Sequence, residues 1–426
     1  MCSGEGVLAF QSVFSVQSIA RVVRSGDSQR FNQSLVDDGV GIIEAISAAA
    51  IARTVVLSGY LRAKVRSKFC VTYTSYPTNL VLRTVAAYLA RRFRVVPANR
   101  DRVVAGAIES MMDATPFTII RRDVTSFYES IDADSLRDRL IYDTSLPRSV
   151  RHYLALFFDA HCPRGQRGLP RGIGLTAVLA ELAMERFDQQ VRALTGVYRY
   201  FRYSDDIVVF AYTNVPEIER EMATLLPSGM EFNQKKCDVV DFTKKDSGVE
   251  KAFEYLGYKL STLAGTGGKI ARPIDVTVAP AKIKRLKSRV VLSLKSFRKT
   301  HDGDLLIDRL RLLSANYQLN RHGVSTWLHG KRIRSGVFYN YRRCGRYAAD
   351  VFTEIVPESL SDLDNFVHTL IKSPRSEFRG VVSSHLNAGQ LARINRISFR
   401  LGFASRRMVR MTYGRLATVK AAWRNG

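Results

Sequence analysis

Two short apolar runs set around an acidic step dominate the hydrophobic pattern of this chain. From Val197 to Tyr212 the sequence reads VYRYFRYSDDIVVFAY, two β-rich segments flanking Ser204, Asp205 and Asp206. This predicts a hairpin with adjacent carboxylates at its tip. Upstream, FTIIRRDVTSFYESI from Phe117 to Ile131 predicts an apolar strand that runs into Asp123 and then into the aromatic pair Phe127 and Tyr128. Between the two, Gly168, Gly172 and Gly174 lead into a helical pattern expected from about Leu175 to Leu194 and ended by Gly196. Residues 35 to 118 are rich in helix formers, with a basic stretch from Arg91 to Arg102 broken by Pro97, so helix, extended segment and helix are expected. Residues 119 to 260 alternate short strands with helices, and from about 276 a helix is predicted, with Ile283, Leu286, Val290, Leu294 and Phe297 at steps of 3, 4, 4 and 3. The expected class is α+β.

Composition narrows the partners. The chain has 426 residues, 46% of them hydrophobic and 24% charged, a globular profile that excludes simple disorder. Its length allows roughly two to four domains. Lys plus Arg number 65 against 39 Asp plus Glu, a net charge of +26, which points to a polyanionic partner. The charge is concentrated. Ala281 to Thr300 holds Lys282, Lys284, Arg285, Lys287, Arg289, Lys295, Arg298 and Lys299 with no acid, and after Glu377 there is no Asp or Glu while Arg379, Arg393, Arg396, Arg400, Arg406, Arg407, Arg410, Arg415, Lys420 and Arg424 accumulate. No apolar run approaches the roughly 18 residues of a spanning helix, and the start lacks the pattern of a secretory signal. Neither a membrane partner nor a secretory route is therefore expected. Cys2, Cys70, Cys162, Cys237 and Cys344 form no CxxC pair and read as free thiols of a reducing, cytoplasmic setting. The seven histidines, His322 and His329 among them, form no metal-ligand spacing.

The acidic positions carry the candidate chemistry. Adjacent carboxylates at a turn repel one another, and neighbouring strands remove part of the water that would screen them, so a divalent cation would reverse the cost. Asp123 at a strand end beside the Asp205-Asp206 hairpin would converge on two Mg2+ ions about 3.5 to 4 Å apart, the arrangement suited to phosphoryl transfer. Oxygen-only donors favour magnesium.

The order of these segments resembles the palm of a reverse transcriptase. Asp123 with Phe127-Tyr128 resembles motif A, and Tyr203-Ser204-Asp205-Asp206 resembles the YxDD box of motif C. QRGLPRGIGLTAVLAELAMERFD resembles motif B, Asn233-Gln234-Lys235-Lys236 motif D, and Phe253-Glu254-Tyr255-Leu256-Gly257-Tyr258 the primer grip of motif E. The resemblance implies a right-hand polymerase of fingers, palm and thumb with a helical C-terminal extension. It implies two Mg2+ ions, replaceable by Mn2+, at Asp123, Val124, Asp205 and Asp206, with Lys236 as proton donor or charge partner of the leaving pyrophosphate. Phe127, Tyr128, Arg171, Gly172 and Arg94 would meet the nucleotide, with Arg91, Arg100 and Arg102 as further candidates for triphosphate or template. Tyr203, Tyr255, Leu256 and Gly257 would meet the primer, and Lys284, Arg285, Lys287 and Arg289 the duplex. Arg171 departs from the family, which usually has Gln there; a guanidinium cannot reproduce an amide's paired donor and acceptor. Tyr128 resembles the bulky gate that collides with a ribose 2′-OH, so dNTPs are the expected substrates.

The implied division is a helical N-terminal region and fingers over 1–118, a palm over 119–275 with a fingers insertion at about 132–165, a helical thumb over 276–345 and a basic helical region over 346–426. No nuclease or integrase motif is evident. Leu305 to Leu319, RSGVFYNY and Leu360 to Val367 resemble the C-terminal region of bacterial abortive-infection and defence-associated reverse transcriptases. That second resemblance implies cDNA synthesis on a structured noncoding RNA in antiphage defence, with an RNA–DNA hybrid as product. An RNA-dependent RNA polymerase, a template-independent nucleotidyltransferase and a catalytically silent RNA-binding protein remain as alternatives.

Overall fold

A computed structural model describes residues 12–24, 26–35, 37–65, 68–96, 98–113, 115–242, 251–262, 272–319, 334–348 and 351–423. Cys2, Pro97, His322, His329 and Arg424, singled out above, lie outside the described residues. The chain opens with α1 (Val16–Val22), α2 (Asp27–Phe31) and α3 (Gly39–Ile51), followed by a hairpin of β1 (Tyr60–Val65) and β2 (Lys68–Tyr73), then α4 (Tyr76–Arg92) and α5 (Arg100–Met112). The hairpin is a finding the helical reading of this region missed; Phe69-Cys70-Val71-Thr72-Tyr73 is β-branched and aromatic, but short runs of this kind do not distinguish strand from buried helix.

The central segment folds as its pattern indicates. It runs β3 (Thr118–Asp123), α6 (Phe127–Ser130), α7 (Ala133–Ile141), α8 (Arg148–His161), α9 (Gly174–Ala193), β4 (Val197–Tyr203), β5 (Asp206–Ala211), α10 (Val215–Leu225), a 3-10 turn at Gln234–Lys236, and β6 (Asp238–Asp241). The strands form one antiparallel sheet in the order β4-β5-β3-β6. Both faces are buried. On β5, Ile207, Val209 and Ala211 enter a core shared with α4, α8 and α9, while Val208 and Phe210 enter a second core shared with α5 and the later helices. Alternation of side chains across a strand explains why β5 reads as a continuous apolar run: each face has its own core to fill.

Beyond the sheet come β7 (Ala252–Tyr255), β8 (Tyr258–Thr262), β9 (Ile274–Val278), α11 (Pro280–Thr300) and α12 (Gly303–Ser314), then β10 (Asn316–Leu319), β11 (Arg334–Gly336), β12 (Gly345–Ala348) and β13 (Val351–Glu354). The last segment holds α13 (Glu358–Lys372), α14 (Arg379–His385), α15 (Ala388–Asn395), α16 (Phe399–Ala404), β14 (Met408–Met411) and α17 (Tyr413–Ala421). The expected helical run from 276 thus stops at Ser314. β12 and β13 complete a five-stranded sheet, β13-β12-β9-β8-β7, and β14 pairs in parallel with β10. These pairings join residues far apart in sequence, so no local period announces them.

Three arginines of the closing basic segment pair with carboxylates of earlier elements. Arg393 pairs with Asp304 at 2.7 Å, Arg406 with Glu354 at 3.0 Å, and Arg415 with Asp308 at 2.7 Å. Among the described residues no helix is long and apolar enough to cross a membrane, and Cys70, Cys162, Cys237 and Cys344 are free thiols.

Candidate active site

Strand register builds the acidic centre. β3 and β5 pair with Asp123 directly opposite Asp206, and β4 and β5 close with Tyr203 opposite Asp206, leaving Ser204 and Asp205 as a two-residue turn. Ser204 has φ +59°, a left-handed conformation that a serine adopts at some cost, and the carbonyl of Ser204 accepts from Arg202 Nη1 at 3.1 Å. The backbone N–H of Val124 donates to the carbonyl of Asp205 at 3.1 Å. Three carboxylates are thereby fixed at one end of the sheet.

Each of two carboxylates has a cationic partner. Lys236 Nζ lies 3.0 and 3.1 Å from the two oxygens of Asp123, which is 6% exposed, and Asn233 Nδ2 donates to Asp123 at 3.4 Å. Arg121 forks onto Asp206, with Nε and Nη2 each at 3.0 Å, and its Nη1 donates to the carbonyl of Glu254 at 3.0 Å. Burial raises the carboxyl pKa of Asp205, and Asp123 adds to the shift. Burial also raises that of Asp206, against the lowering by Arg121, with Asp123 and Asp205 pushing the same way as burial. Oxygen-only donors under mutual repulsion suit a hard divalent cation. Among the described residues no three His, Cys, Asp or Glu side chains are arranged to hold a metal ion; Asp206 is turned to Arg121 and Asp123 to Lys236.

The loop before α9 is stitched to the segment after Asp123. Leu169 N–H donates to the carbonyl of Tyr128 and Gly168 N–H to that of Ile131, both at 2.8 Å, while Val71 N–H of β2 donates to the carbonyl of Arg171 at 2.7 Å. Gly172 has φ +97°, and a Cβ there would stand 2.5 Å from the carbonyl oxygen of Val71, so only glycine permits this approach. The departure at Arg171 now has a physical account. Its Nε and Nη2 meet the two oxygens of Glu129 at 2.9 Å each, and its guanidinium lies 4.9 Å from the centre of the Tyr128 ring. The Arg171 fork holds the Glu129 carboxyl below the usual range despite burial. Tyr128 is half-buried between this pair and Ser204.

Other expected contacts fall differently. Phe127 is 2% exposed and packs in the core edge-on to Tyr128, so its ring is support and not a nucleotide contact. Tyr255 is 1% exposed, stacks on Phe253 and donates to the carbonyl of Asp206 at 3.4 Å, so it braces the acidic hairpin where the primer was expected. Leu256 and Gly257 form the two-residue turn between β7 and β8, both with positive φ, +47° and +87°. Arg100, expected near the triphosphate, sits behind that turn instead: its Nε and Nη2 donate to the carbonyl of Leu256 at 2.8 and 2.6 Å. Arg94 is exposed just past α4, and among the described residues no hydrogen bond brings it to the acidic centre. On α11, Lys284 is exposed, Arg285 is half-buried, Lys287 lies over Phe366 and Arg289 over Trp423. The charged residues missed in the sequence were Arg121, Arg202 and Glu129, the partner of Arg171. Arg121 had a signal, since residues two apart on a strand share a face with Asp123; Arg202 and Glu129 find partners through tertiary contacts alone.

An antiparallel sheet that sets three aspartates at its end, with a glycine-bearing loop and helix beside it, defines the palm of a right-hand polymerase. Residues 81–260, less than half of the chain, match the family model described as reverse transcriptase (RNA-dependent DNA polymerase). No curated protein matches the chain. Among solved structures, apo telomerase from Candida tropicalis truncated from its C-terminal domain is 13% identical, with 56% of this chain and 60% of that one covered and a TM-score of 0.35. Telomerase from Candida albicans in complex with a TWJ fragment of telomeric RNA is 12% identical, with 93% and 60% covered and a TM-score of 0.32. The chain spans about three fifths of the length of these structures.

Proposed function

We propose that the protein is an RNA-directed DNA polymerase that extends a primer with dNTPs on an RNA template by two-metal nucleotidyl transfer. The observation that carries this is the register that sets Asp123 opposite Asp206 with Asp205 at the adjoining turn, inside the segment that matches the reverse transcriptase family model. Asp123 and Asp205, with the main chain at Val124, would hold Mg2+ or Mn2+, and Asp206 stands behind them on Arg121. Bound divalent ions supply activation of the attacking 3′ oxygen and stabilisation of the leaving oxygen. Lys236, held at Asp123 by an ion pair, is placed to follow the charge of the triphosphate once a cation takes up that carboxylate. Tyr128, held between Arg171 and Ser204, would be the ring that excludes a 2′-OH. Arg100 fixes the Leu256-Gly257 turn against which a primer would lie.

The narrower reading is that the template is a structured noncoding RNA and the setting bacterial antiphage defence. It rests on the resemblance of residues 305–319, 334–341 and 360–367, and sequencing of RNA that co-purifies with the protein tests it. Primer extension on RNA with dNTPs and Mg2+ tests the activity: the wild-type chain extends, and Asp205→Asn does not while retaining RNA binding. Extension by Asp205→Asn at the wild-type rate overturns the assignment, and extension by the wild type with rNTPs alone returns an RNA polymerase.

A further inference from the structure

Between α11 and α17 the fold leaves a cavity of about 540 Å³, well within the roughly 300–1,000 Å³ of small-molecule sites. Arg289 of α11 and Lys420 of α17 bring its two cations, and Tyr317 of β10 and Trp423 its two aromatic walls. Ser335 and Asn340 add neutral hydrogen-bonding groups, and Leu416 and Ala417 an apolar side. Among the described residues no carboxylate lines it. The walls are braced: Trp423 Nε1 donates to Ser293 Oγ at 3.0 Å with the Arg289 guanidinium 5.5 Å from its ring, and Lys420 Nζ donates to the Tyr317 hydroxyl at 3.1 Å. Leu416, Ala417 and Lys420 share a helix face at spacings of one, three and four residues, so α17 presents them together.

A smaller recess of about 190 Å³ shares Arg289 and Asn340 with it and reaches Leu256 of the β7-β8 turn. Lys282, Arg285 and Arg289 lie along this path at spacings of three and four residues on α11, a span of about 10 Å on a helix. A basic lane thus leads from the turn beside the acidic centre to the cavity. Cations paired with aromatic faces are the chemistry that binds nucleic-acid strands, phosphate to cation and base to ring. Burial opposes ionisation of Tyr317, yet its hydrogen bonds to Ser335 and Lys420 draw its pKa down.

We infer that this cavity binds one nucleotide unit, its phosphate between Arg289 and Lys420 and its base against Tyr317. The nucleotide comes either from the strand that leaves the active site along α11 or from a free nucleotide acting at a second site. Only the first source rests on the polymerase reading, and binding is measured without synthesis, so the two can fail separately.

Trp423 is a built-in reporter, since Trp327 is the one other tryptophan in the chain. In a Trp327→Phe background, Trp423 fluorescence is titrated with an RNA–DNA primer–template, and separately with dAMP and ATP to millimolar concentration. A saturable change with the primer–template alone assigns the strand; a change with dAMP or ATP assigns a free nucleotide; both support the site. Tyr317→Leu should weaken the responding ligand about tenfold or more, in line with the loss of one stacked base. Lys420→Gln should weaken it and flatten its salt dependence by about one phosphate. Both variants should keep the wild-type circular dichroism and melting temperature, and extension at saturating primer–template should be unchanged. No change in Trp423 fluorescence with any of the three ligands, or folded variants that bind as wild type, overturns the inference.

Discussion

Replacing Arg202 by Met should both destabilise the protein and loosen the turn that carries Asp205. Arg202 has a side chain only 4% exposed, and it forks onto Asp188 through Nε and Nη2, each at 2.7 Å, and onto Glu181 through Nη2 at 2.6 Å. Tyr200 donates to the same Asp188 at 2.6 Å. Burial works against the Arg202 charge, but Asp188 and Glu181 outweigh it and raise its pKa. Met fills similar volume but leaves two carboxylates facing an apolar chain. Removing one partner of a buried ion pair costs about 3–5 kcal/mol. Asp188 and Glu181 keep 14% and 21% exposure, which lets some water reach them, so the lower end, about 3 kcal/mol, is expected. Urea denaturation followed by circular dichroism reads this as a lower midpoint, and the triple variant Arg202→Met, Glu181→Gln, Asp188→Asn should recover most of the loss because no unpaired charge remains. Primer extension should lose kcat more than KM, since Ser204 gives up the donor that fixes its carbonyl. An Arg202→Met protein within about 1 kcal/mol of wild type, with normal extension, would refute the reasoning.

Tyr128→Ala should relax the dNTP/rNTP preference on the order of 100-fold, and Arg171→Gln or Glu129→Gln should relax it by a smaller factor, because each removes half of the fork that backs the ring; competition between dNTPs and rNTPs in extension assays measures both. Arg100→Leu strips the Leu256 carbonyl of both donors, so primer dissociation should quicken while dNTP KM stays put; a primer off-rate equal to wild type counts against it. Burial and Arg62 lower the pKa of His161 to about 4. The unfolded chain therefore takes up a proton near pH 6.5 that the fold refuses until about pH 4. Stability should fall as the pH drops through that window, and His161→Gln should flatten the fall in urea midpoints measured from pH 7 to 4. Asp206→Asn should retain measurable extension where Asp205→Asn retains none, since Asp206 spends both oxygens on Arg121.

Legibility of the molecule followed the reach of its contacts. The Val197–Tyr212 hairpin, the strand into Asp123 and the helix after Gly172 were readable because each is a local period with a local stop, and the helix observed at Gly174–Ala193 differs by one residue at each end from the expectation. β10 to β14 were not readable, since β12 is held by β9 and β14 by β10, partners about 70 to 90 residues away that leave no imprint on local sequence. The acidic centre was legible as three aspartates, but not its charge balance. A lysine or arginine near an acid in sequence says little about which carboxylate it meets, and the Glu129–Arg171 pair spans 42 residues. The clearest lesson is Arg171, which a family pattern marks as an anomaly and the fold explains as half of a pair.

The two cations at the acidic centre are unequal, and that inequality divides the work among the aspartates. Lys236 is 57% exposed and holds Asp123 through a single flexible ammonium, so water competes with it continually and a divalent ion would displace it at little cost. Arg121 is 25% exposed, bonds Asp206 with two parallel N–H groups and is itself anchored on the Glu254 carbonyl. A planar fork with three bonds does not yield to a metal that gains only one carboxylate by the exchange. The centre therefore opens on one side, toward Asp123 and Asp205. Asp206 and Arg121 instead lock the hairpin to the β7-β8 turn, helped by Tyr255 from below. The acidic centre and the β7-β8 turn are thus coupled through one ion pair, so a change at Arg121 should disturb both together, whereas a change at Lys236 should disturb only the first.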